Sequence, residues 1–250
     1  RLHTGFTFDF IEDWSFEPSV FRAYYEKRLA PLEDLFPCVT FSNHDVPRPV
    51  TRWGGGQGDD ALAKLALTLL LTLKGNVLMF QGEELGLPEV DLDWDDIHDP
   101  VGDLYYPWMK GRDGCRTPMP WEAKPAGAGF TTGKPWLPIP DYHKVRAVDV
   151  QAADESSVLA HAREVVAFRK AHLALRLGEI SFLDAEGKLL AFTREEEGEK
   201  LICVFNLGTE AASFVLPKGA GDMLLSVGDV TRSGHTLHLG AKAAGIFGIE

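Results

Sequence analysis

The stretch Phe36–Trp53, FPCVTFSNHDVPRPVTRW, decides the fold prediction. Its first part is short, apolar and β-prone, and it predicts a buried strand over Pro37–Phe41. The polar residues 42–45 follow directly, and two prolines after them prevent further strand pairing. Polar groups at the carboxyl end of a buried strand are where α/β barrels place their chemistry. The stretch therefore predicts a buried strand whose carboxyl end carries a candidate functional site.

The same design recurs on both sides of this stretch. Downstream, Asp59–Lys74 predicts an apolar helix, and Val77–Phe80 predicts another strand that is again followed by polar residues. Upstream, Leu2–Phe10 predicts a buried strand and Glu17–Leu35 predicts a helix. Short apolar strands that alternate with helices are typical of parallel sheets with crossover connections. The sequence therefore predicts an α/β fold.

The second half of the chain changes character twice. Gly86–Tyr142 is rich in Pro, Gly, Trp and Asp and is too long for an ordinary connection, so we expect an ordered functional excursion. Val150–Leu177 predicts one helix, whose acidic start and basic end match the helix dipole. From Gly178 onward, short β-prone runs between turns predict a small antiparallel β-sandwich. We therefore expect two domains, residues 1–177 and 178–250.

The bulk composition narrows the class of protein. The 250 residues are 45% hydrophobic, enough for a full core, and no run reaches the ~18 apolar residues of a membrane span. The net charge of −12 argues against nucleic acid or an anionic membrane as a partner. The three cysteines are widely spaced, which argues against a disulfide framework and a thiolate metal site. We expect a soluble cytoplasmic protein and, because the chain lacks an initiator Met, one that begins inside a domain.

Three motifs carry a family resemblance. They are Asn43-His44-Asp45, the QGEELG run Gln81–Gly86, and the GRDGCRTPMPW run Gly111–Trp121. On these motifs the chain resembles the α-amylase family of glycosidases (glycoside hydrolase family 13), on its α-glucosidase and oligo-1,6-glucosidase branch. The resemblance implies the C-terminal part of a (β/α)8 TIM barrel followed by a β domain. Barrel strands 6, 7 and 8 would be Leu2–Phe10, Val39–Asp45 and Val77–Gly82.

The resemblance also implies roles for individual residues. Members of this family are retaining glycosidases, and Asp45 matches the aspartate after strand 7 that stabilises the transition state. His44 matches the group that hydrogen-bonds sugar hydroxyls in subsite −1, and Arg112 matches the arginine that caps the non-reducing-end glucose. Glu89 is a weaker match for a residue that lines the substrate entrance. The implied substrates are α-glucosides such as maltose, isomaltose or sucrose, and no residue here indicates a cofactor or a metal site.

Two catalytic groups of the family have no match in this chain. Retaining hydrolysis needs two carboxyl groups about 5 Å apart, one as nucleophile and one as acid/base. The family carries them after strands 4 and 5, and strands 1 to 5 are missing here. We therefore expect the chain to be inactive alone and to need the N-terminal barrel half of the same enzyme as its partner. Uncovered strand edges also require such a partner, since open edges promote aggregation.

A non-catalytic sugar-binding or scaffold protein derived from the same fold is the alternative. Such a protein would not need Asp45, His44 or Arg112, and all three are present, which favours the enzyme. A metal site at Asp45 and His44 is disfavoured because adjacent residues at a strand end point to opposite faces. For Arg112, the other interpretation is a structural salt bridge to Asp113 or Asp103.

Five further polar residues are interpreted as structural. Glu83 and Glu84 lie just beyond a predicted strand, where a catalytic pair could sit. Neighbouring carboxylates on a turn are more often supports for a loop, and we interpret them so. His143, His161 and His172 have no partners at meaningful spacing, and we predict surface or helix positions for them.

Overall fold

The computed structural model describes residues 4–31, 36–55 and 58–249. Leu2 and His3 of the first predicted strand, and residues 32–35 of the first predicted helix, lie outside these ranges. The helices are α1 Asp9–Glu12, α2 Pro18–Ala23, a π-helix Tyr24–Leu29, α3 Pro49–Gly54, α4 Asp60–Thr72, α5 Pro100–Tyr105, α6 Asp141–Lys144, α7 Val148–Ala152, α8 Val158–Ala171 and α9 Leu173–Leu177, with short 3₁₀ turns at Glu83–Leu85, Trp94–Asp96 and Asp113–Cys115. The strands are β1 Cys38–Val39, β2 Asn76–Val77, β3 Glu179–Phe182, β4 Leu189–Glu196, β5 Glu199–Asn206, β6 Ala212–Val215, β7 Ala220–Val227, β8 Val230–Ser233, β9 Thr236–Leu239 and β10 Ala243–Ile249.

The two short strands of the N-terminal half form a parallel pair. Cys38 of β1 pairs with Asn76 of β2, and Phe6 forms a single parallel bridge with Cys38. Helix α4 lies between the two strands in the chain, and this strand–helix–strand order is what a parallel pair requires. The predicted parallel alternation is therefore present, although each strand is shorter than its predicted run.

Helix α4 forms where the sequence predicted an apolar helix. Leu65 and Leu69 have no exposed surface, as expected for a helix that buries a stripe of leucines. At its start, the Asp59 carboxylate accepts the N–H of Leu62 at 2.9 Å and satisfies a donor that has no helical partner.

Two arginines, the half-buried Arg169 and the fully buried Arg194, satisfy carbonyl groups near the C-terminal end of α4. The Arg169 guanidinium donates to the carbonyl oxygens of Leu71, Leu73 and Gly75. The Arg194 guanidinium, which has no exposed surface, donates to the carbonyl oxygens of Thr72, Leu175, Gly178 and Glu179. Burial lowers the pKa of both arginines to about 10, so both remain charged at neutral pH. The last carbonyls of the helix therefore have side-chain partners in place of helical ones.

The first predicted strand, Leu2–Phe10, is largely wrong. Among residues 4–10, which the structure describes, only Phe6 makes a bridge, and helix α1 begins at Asp9. The Thr7 hydroxyl donates to the Asp9 carboxylate at 2.8 Å and accepts the Asp9 N–H at 3.4 Å, which favours a turn over an extended chain. Phe6 and Phe8 are 45% and 51% exposed, so their alternation does not mark a buried strand face.

The predicted helix Glu17–Leu35 is confirmed over the region where α2 passes directly into the π-helix. The predicted helix Val150–Leu177 is instead three helices, α7, α8 and α9. The Asp154 carboxylate accepts both the N–H and the hydroxyl of Ser156, and this local turn competes with helical hydrogen bonds. The Ser157 hydroxyl then accepts the N–H of Ala160 at 3.0 Å and caps the start of α8.

The C-terminal residues form two antiparallel sheets. One has the strand order β3-β4-β5-β10-β7, and the other has the order β6-β9-β8. Apolar side chains of both sheets belong to one buried cluster, whose members include Ile202, Val204, Phe214, Leu237 and Phe247. The two sheets therefore share a core, as in a β-sandwich. Strand β8, Val-Thr-Arg-Ser, contains a single apolar residue, so its sequence gives only a weak strand signal.

The described chain divides into two compact units whose segments alternate along the sequence. One unit contains the described residues of 1–40, 64–78 and 164–250, and the other contains those of 41–63 and 79–163. The domain boundary expected between residues 177 and 178 stays a prediction. In the part of the chain that the structure describes, no helix has both the length and the apolar character that a membrane crossing requires.

Candidate active site

Asp45 lies in a tight turn that its neighbours fix. The Asn43 side-chain oxygen accepts the N–H of Asp45 at 2.8 Å, and Asn43 and Val46 form an isolated antiparallel bridge. Helix α3 then begins at Pro49, whose ring suits the first helical position. The Asp45 side chain is 39% exposed, so its carboxylate is accessible to a ligand.

Three side chains face the Asp45 carboxylate. Arg112 Nη1 and Arg116 Nη2 each donate to Asp45 Oδ1 at 3.1 Å. His44 Nε2 lies 3.5 Å from Asp45 Oδ2. The structure therefore brings together Asp45, His44 and Arg112, which the sequence motifs singled out from segments more than 60 residues apart. Sequence reasoning missed Arg116, although it stands in the same GRDGCR run as Arg112.

A buried carboxylate, Asp99, holds Arg112. Arg112 Nε donates to Asp99 Oδ2 at 2.7 Å and Nη2 donates to Oδ1 at 3.1 Å, and the Asp99 side chain has no exposed surface. These hydrogen bonds hold the pKa of Asp99 well below its usual range and raise the pKa of Arg112. The alternative salt bridge from Arg112 to Asp113 or Asp103 is wrong, since its partners are Asp99 and Asp45.

Asp113 completes a closed ring of charged groups. Arg116 Nη1 lies 3.6 Å from Asp113 Oδ1, and Asp113 Oδ2 accepts the N–H of Asp99 at 2.6 Å. We name this arrangement the carboxylate–arginine ring; its members, in order, are Asp99, Arg112, Asp45, Arg116 and Asp113. Each arginine lies between two carboxylates, so the ring holds Asp45 from two sides.

Arg48 and Glu83 form a buried polar cluster that connects three loops of the same unit. Arg48 Nε donates to the Gln81 carbonyl at 2.9 Å, and Nη2 donates to the Cys115 carbonyl at 3.0 Å. The Ser42 hydroxyl donates to the Glu83 carboxylate. Burial raises the pKa of Glu83 to about 7. Its contacts and its burial agree with the interpretation of Glu83 as a support for the loops.

Glu89 lies in a cavity of about 300 Å³. Thr51, Asp91 and Lys110 also line this cavity, and the Glu89 N–H donates to Thr51 Oγ1 at 2.8 Å. Burial raises the pKa of the Glu89 carboxyl to about 7. Within residues 4–31, 36–55 and 58–249, no hydrogen bond joins this carboxyl to Asp45, so the structure does not place Glu89 in the ring.

His143 and His172 have partners that sequence reasoning missed. His143 has no exposed surface, its Nε2 lies 2.9 Å from the Pro88 carbonyl, and burial lowers its pKa to about 4. His172 Nδ1 lies 2.5 Å from Glu199 Oε1. The expectation that His143 and His172 have no partners is therefore wrong. Local spacing did not show these partners because Pro88 and Glu199 are 55 and 27 residues away in the sequence. His161 is buried within α8, in agreement with a helix position.

The ring fits recognition of a hydroxylated ligand. A carboxylate accepts hydrogen bonds from hydroxyl groups and stabilises a neighbouring positive charge, and a guanidinium donates in a planar fork. The ring alone does not supply the nucleophile and acid/base of a retaining hydrolysis, because Asp45 is its one accessible carboxylate and the side chains of Asp99 and Asp113 are 0% and 1% exposed. Among the described residues, no group of three or more His, Cys, Asp or Glu side chains is arranged to hold a metal ion.

Two family models match successive parts of the chain. The model for the catalytic domain of α-amylase matches residues 12–178. The model for the C-terminal domain of maltogenic amylase matches residues 180–233. Together they cover both the segment that contains the carboxylate–arginine ring and most of the C-terminal sheets.

Curated relatives agree with these matches. A probable alpha-glucosidase of Rhizobium meliloti is 47% identical over 222 residues, which is 87% of this chain and 39% of that protein. An oligo-1,6-glucosidase of Heyndrickxia coagulans is 31% identical over 208 residues, 75% of this chain and 37% of that protein. The chain therefore spans less than half the length of these relatives.

Solved structures resemble the whole chain. The alpha-glucosyl transfer enzyme XgtA is 40% identical with a TM-score of 0.94, over 100% of this chain and 47% of that protein. The trehalulose synthase MutB from Pseudomonas mesoacidophila MX-45 is 29% identical with a TM-score of 0.87, over 100% of this chain and 51% of that protein. The fold of this chain is thus the fold of about half of each of these proteins.

Proposed function

This chain belongs to the α-amylase family, and we propose that it is part of a retaining α-glucosidase that hydrolyses terminal α-linked glucose from short oligosaccharides. The observation that carries the proposal is the convergence of His44, Arg112 and Arg116 on the Asp45 carboxylate. A non-catalytic sugar-binding or scaffold protein is the alternative, and hydroxyl recognition by this arrangement does not by itself separate it from an enzyme. Relatives named as α-glucosidases and oligo-1,6-glucosidases support the enzyme over the scaffold.

In this proposal, Asp45 is the transition-state stabiliser. The transition state of glycoside hydrolysis resembles an oxocarbenium ion, and hydrogen bonds to the sugar hydroxyls strengthen as it forms. An acceptor-only carboxylate in a fixed position can make those bonds and oppose the developing positive charge. His44 and Arg112 bind hydroxyl groups of the same glucose unit, and the buried Asp99 keeps the Arg112 fork in one orientation.

The nucleophile and the acid/base lie, in this proposal, on an N-terminal barrel segment that completes the enzyme. The present chain contributes about strands 6 to 8, an assignment supported by the parallel β1–β2 pair and by the Phe6 bridge. Residues 1–177 would then belong to the catalytic barrel and residues 178–250 to the β domain. Alone, the chain would be inactive because it would lack the two carboxyl groups that make and break the glycosidic bond.

The substrates that we propose are α-glucosides of the maltose, isomaltose or sucrose type. Names of relatives point to α-1,6 linkages, and MutB variants have been solved with sucrose and with isomaltulose. Glu89 would line the substrate entrance through its cavity. Similarity to an α-glucosyl transfer enzyme makes glucosyl transfer to a sugar acceptor a second reaction to assay. A cytoplasmic location stays a prediction from the cysteine pattern.

The test is hydrolysis of p-nitrophenyl α-glucoside by the complete enzyme and by its Asp45→Asn variant. Loss of one preorganised stabilising group lowers kcat by roughly 10²- to 10³-fold, so we expect a loss of at least that size. Asp141→Asn is the matched control, because the Asp141 side chain is 95% exposed and its charge pairs with Lys144. Unchanged hydrolysis by Asp45→Asn would refute the proposed function.

A further inference from the structure

Arg116 is the one arginine of the ring to which the family resemblance gives no role. We propose that Arg116 is a positioning residue for Asp45 and His44 in the reaction proposed above. The inference rests on that proposed function and adds a residue to it. In this role Arg116 does not touch the substrate. It fixes the main chain of His44 and the carboxylate of Asp45, and the side chains of these two residues contact the sugar.

The Arg116 guanidinium contacts both residues at once. Its Nε donates to the His44 carbonyl oxygen at 2.7 Å, and its Nη2 donates to Asp45 Oδ1 at 3.1 Å. One planar group thereby fixes the main chain at His44 and the side chain of the next residue. The Arg116 side chain is 22% exposed and the Asp45 side chain 39% exposed, so the arginine is the more buried member of the pair.

The third nitrogen of Arg116 faces an anchored carboxylate. Its Nη1 lies 3.6 Å from Oδ1 of Asp113, whose side chain is 1% exposed. Asp113 Oδ2 accepts the N–H groups of His98 at 2.7 Å and Asp99 at 2.6 Å. Asp113 is therefore fixed by backbone groups, and Arg116 transmits that fixed position to the Asp45 loop.

Arginine is required for this geometry. The directions of Nε and Nη2 are set by one rigid plane, and they match two acceptors that lie on neighbouring residues. A lysine presents a single ammonium group on a flexible stem and cannot hold both acceptors in the same fixed arrangement. Arg116→Lys therefore keeps the charge and removes the positioning.

Arg146 provides a matched control in the same compact unit. Its Nη2 lies 2.6 Å from Asp60 Oδ1, and its Nη1 donates to the Leu85 carbonyl at 3.2 Å. It thus binds one carboxylate and one backbone carbonyl, as Arg116 does, and its side chain is 15% exposed. Its partners lie outside the ring, so Arg146→Ala reports what the loss of a structural arginine does to the rate.

The experiment is a double-mutant cycle in the complete enzyme with p-nitrophenyl α-glucoside. Arg116→Ala, Arg116→Lys and Arg146→Ala are each made in the wild-type and in the Asp45→Asn background. A misplacement of about 1 Å in a catalytic group lowers the rate by about 10²-fold, so we expect Arg116→Ala to lower kcat by about 10- to 100-fold with a smaller change in KM. In the Asp45→Asn background, the same substitution should lower kcat by a clearly smaller factor, because coupled residues are not additive and only the contact with His44 is still lost.

The outcomes separate the inference from the proposed function. If Asp45→Asn leaves hydrolysis unchanged, the proposed function fails, and the role of Arg116 fails with it. If Asp45→Asn lowers hydrolysis but Arg116→Ala has the same effect in both backgrounds, as expected for Arg146→Ala, only the inference fails. Full kcat in Arg116→Lys also overturns it. Should Arg116→Ala not fold, the charge-retaining Arg116→Lys is compared across the same two backgrounds.

Discussion

The buried carboxyl of Glu83 makes the stability of this chain depend on pH. The Glu83 side chain is 6% exposed, accepts a hydrogen bond from Ser42 and lies near the charge of Arg48. Removal from water nevertheless dominates, and it raises the pKa of Glu83 from 4.5 to about 7. The perturbation that tests this is Glu83→Gln, which resembles the protonated side chain and cannot ionise.

The size of the effect follows from the two pKa values. A difference between 4.5 and about 7 corresponds to about 3 kcal/mol at about 1.4 kcal/mol per pKa unit. The folded state holds the proton more tightly than the unfolded state, so the proton favours folding. The contribution is fully present below pH 4.5 and is lost as the pH rises through about 7.

Urea unfolding at intervals from pH 4.5 to pH 8 measures this contribution. The difference in free energy of unfolding, wild type minus Glu83→Gln, should fall by about 3 kcal/mol across that range. The exposed Glu122 supplies the control Glu122→Gln, for which we expect no such fall. Burial also raises the pKa of Glu89 to about 7, so some pH dependence should persist in Glu83→Gln. A constant difference between wild type and Glu83→Gln would refute the reasoning.

Two further predictions concern buried groups of the other compact unit and the thiols. Arg194→Ala leaves buried carbonyl oxygens without a donor and should lower the free energy of unfolding by about 3 kcal/mol or more. The control Arg176→Ala, at an exposed helix position, should change the free energy of unfolding by less than about 0.5 kcal/mol. Equal values for the two variants would contradict the capping role of Arg194. In the native protein at pH 8, iodoacetamide should modify the partly exposed Cys38 well before Cys115 and Cys203. These two thiols are buried, and their pKa values are raised to about 11 and about 12. Peptide mapping by mass spectrometry measures the order of modification, and earlier modification of Cys115 or Cys203 would contradict the prediction.

Sequence reasoning identified three members of the site because each of them lies within a short, recognisable motif. Asp45 and His44 are adjacent, and Arg112 stands in a run of eleven residues that resembles one family. Asp99 was missed because it is 13 residues from Arg112 and its role depends on complete burial, which no local pattern displays. Arg112 and Asp99 both lie in a long irregular segment, and the folding of that segment decides which side chains meet. Such a segment has no helical or strand periodicity, so the sequence pattern does not predict the pair.

The fold was predictable where hydrophobic periodicity was strong. The apolar stripe of α4 and the alternating runs of the C-terminal sheets are signals of this kind. The prediction failed where a short polar side chain bonded to nearby backbone, as at Thr7 and Asp154. Such bonds depend on one or two residues, so a window of apolar spacing does not detect them.

Arg194 limits where this protein can be recombined with its relatives. It stands on β4, yet its acceptors Thr72, Leu175 and Gly178 precede β3 in the chain. A chimera joined at residue 178 would pair the arginine of one parent with the carbonyls of another, and small differences in helix length would leave a buried cation without acceptors. A crossover point after β4 would inherit the arginine and its acceptors from a single parent.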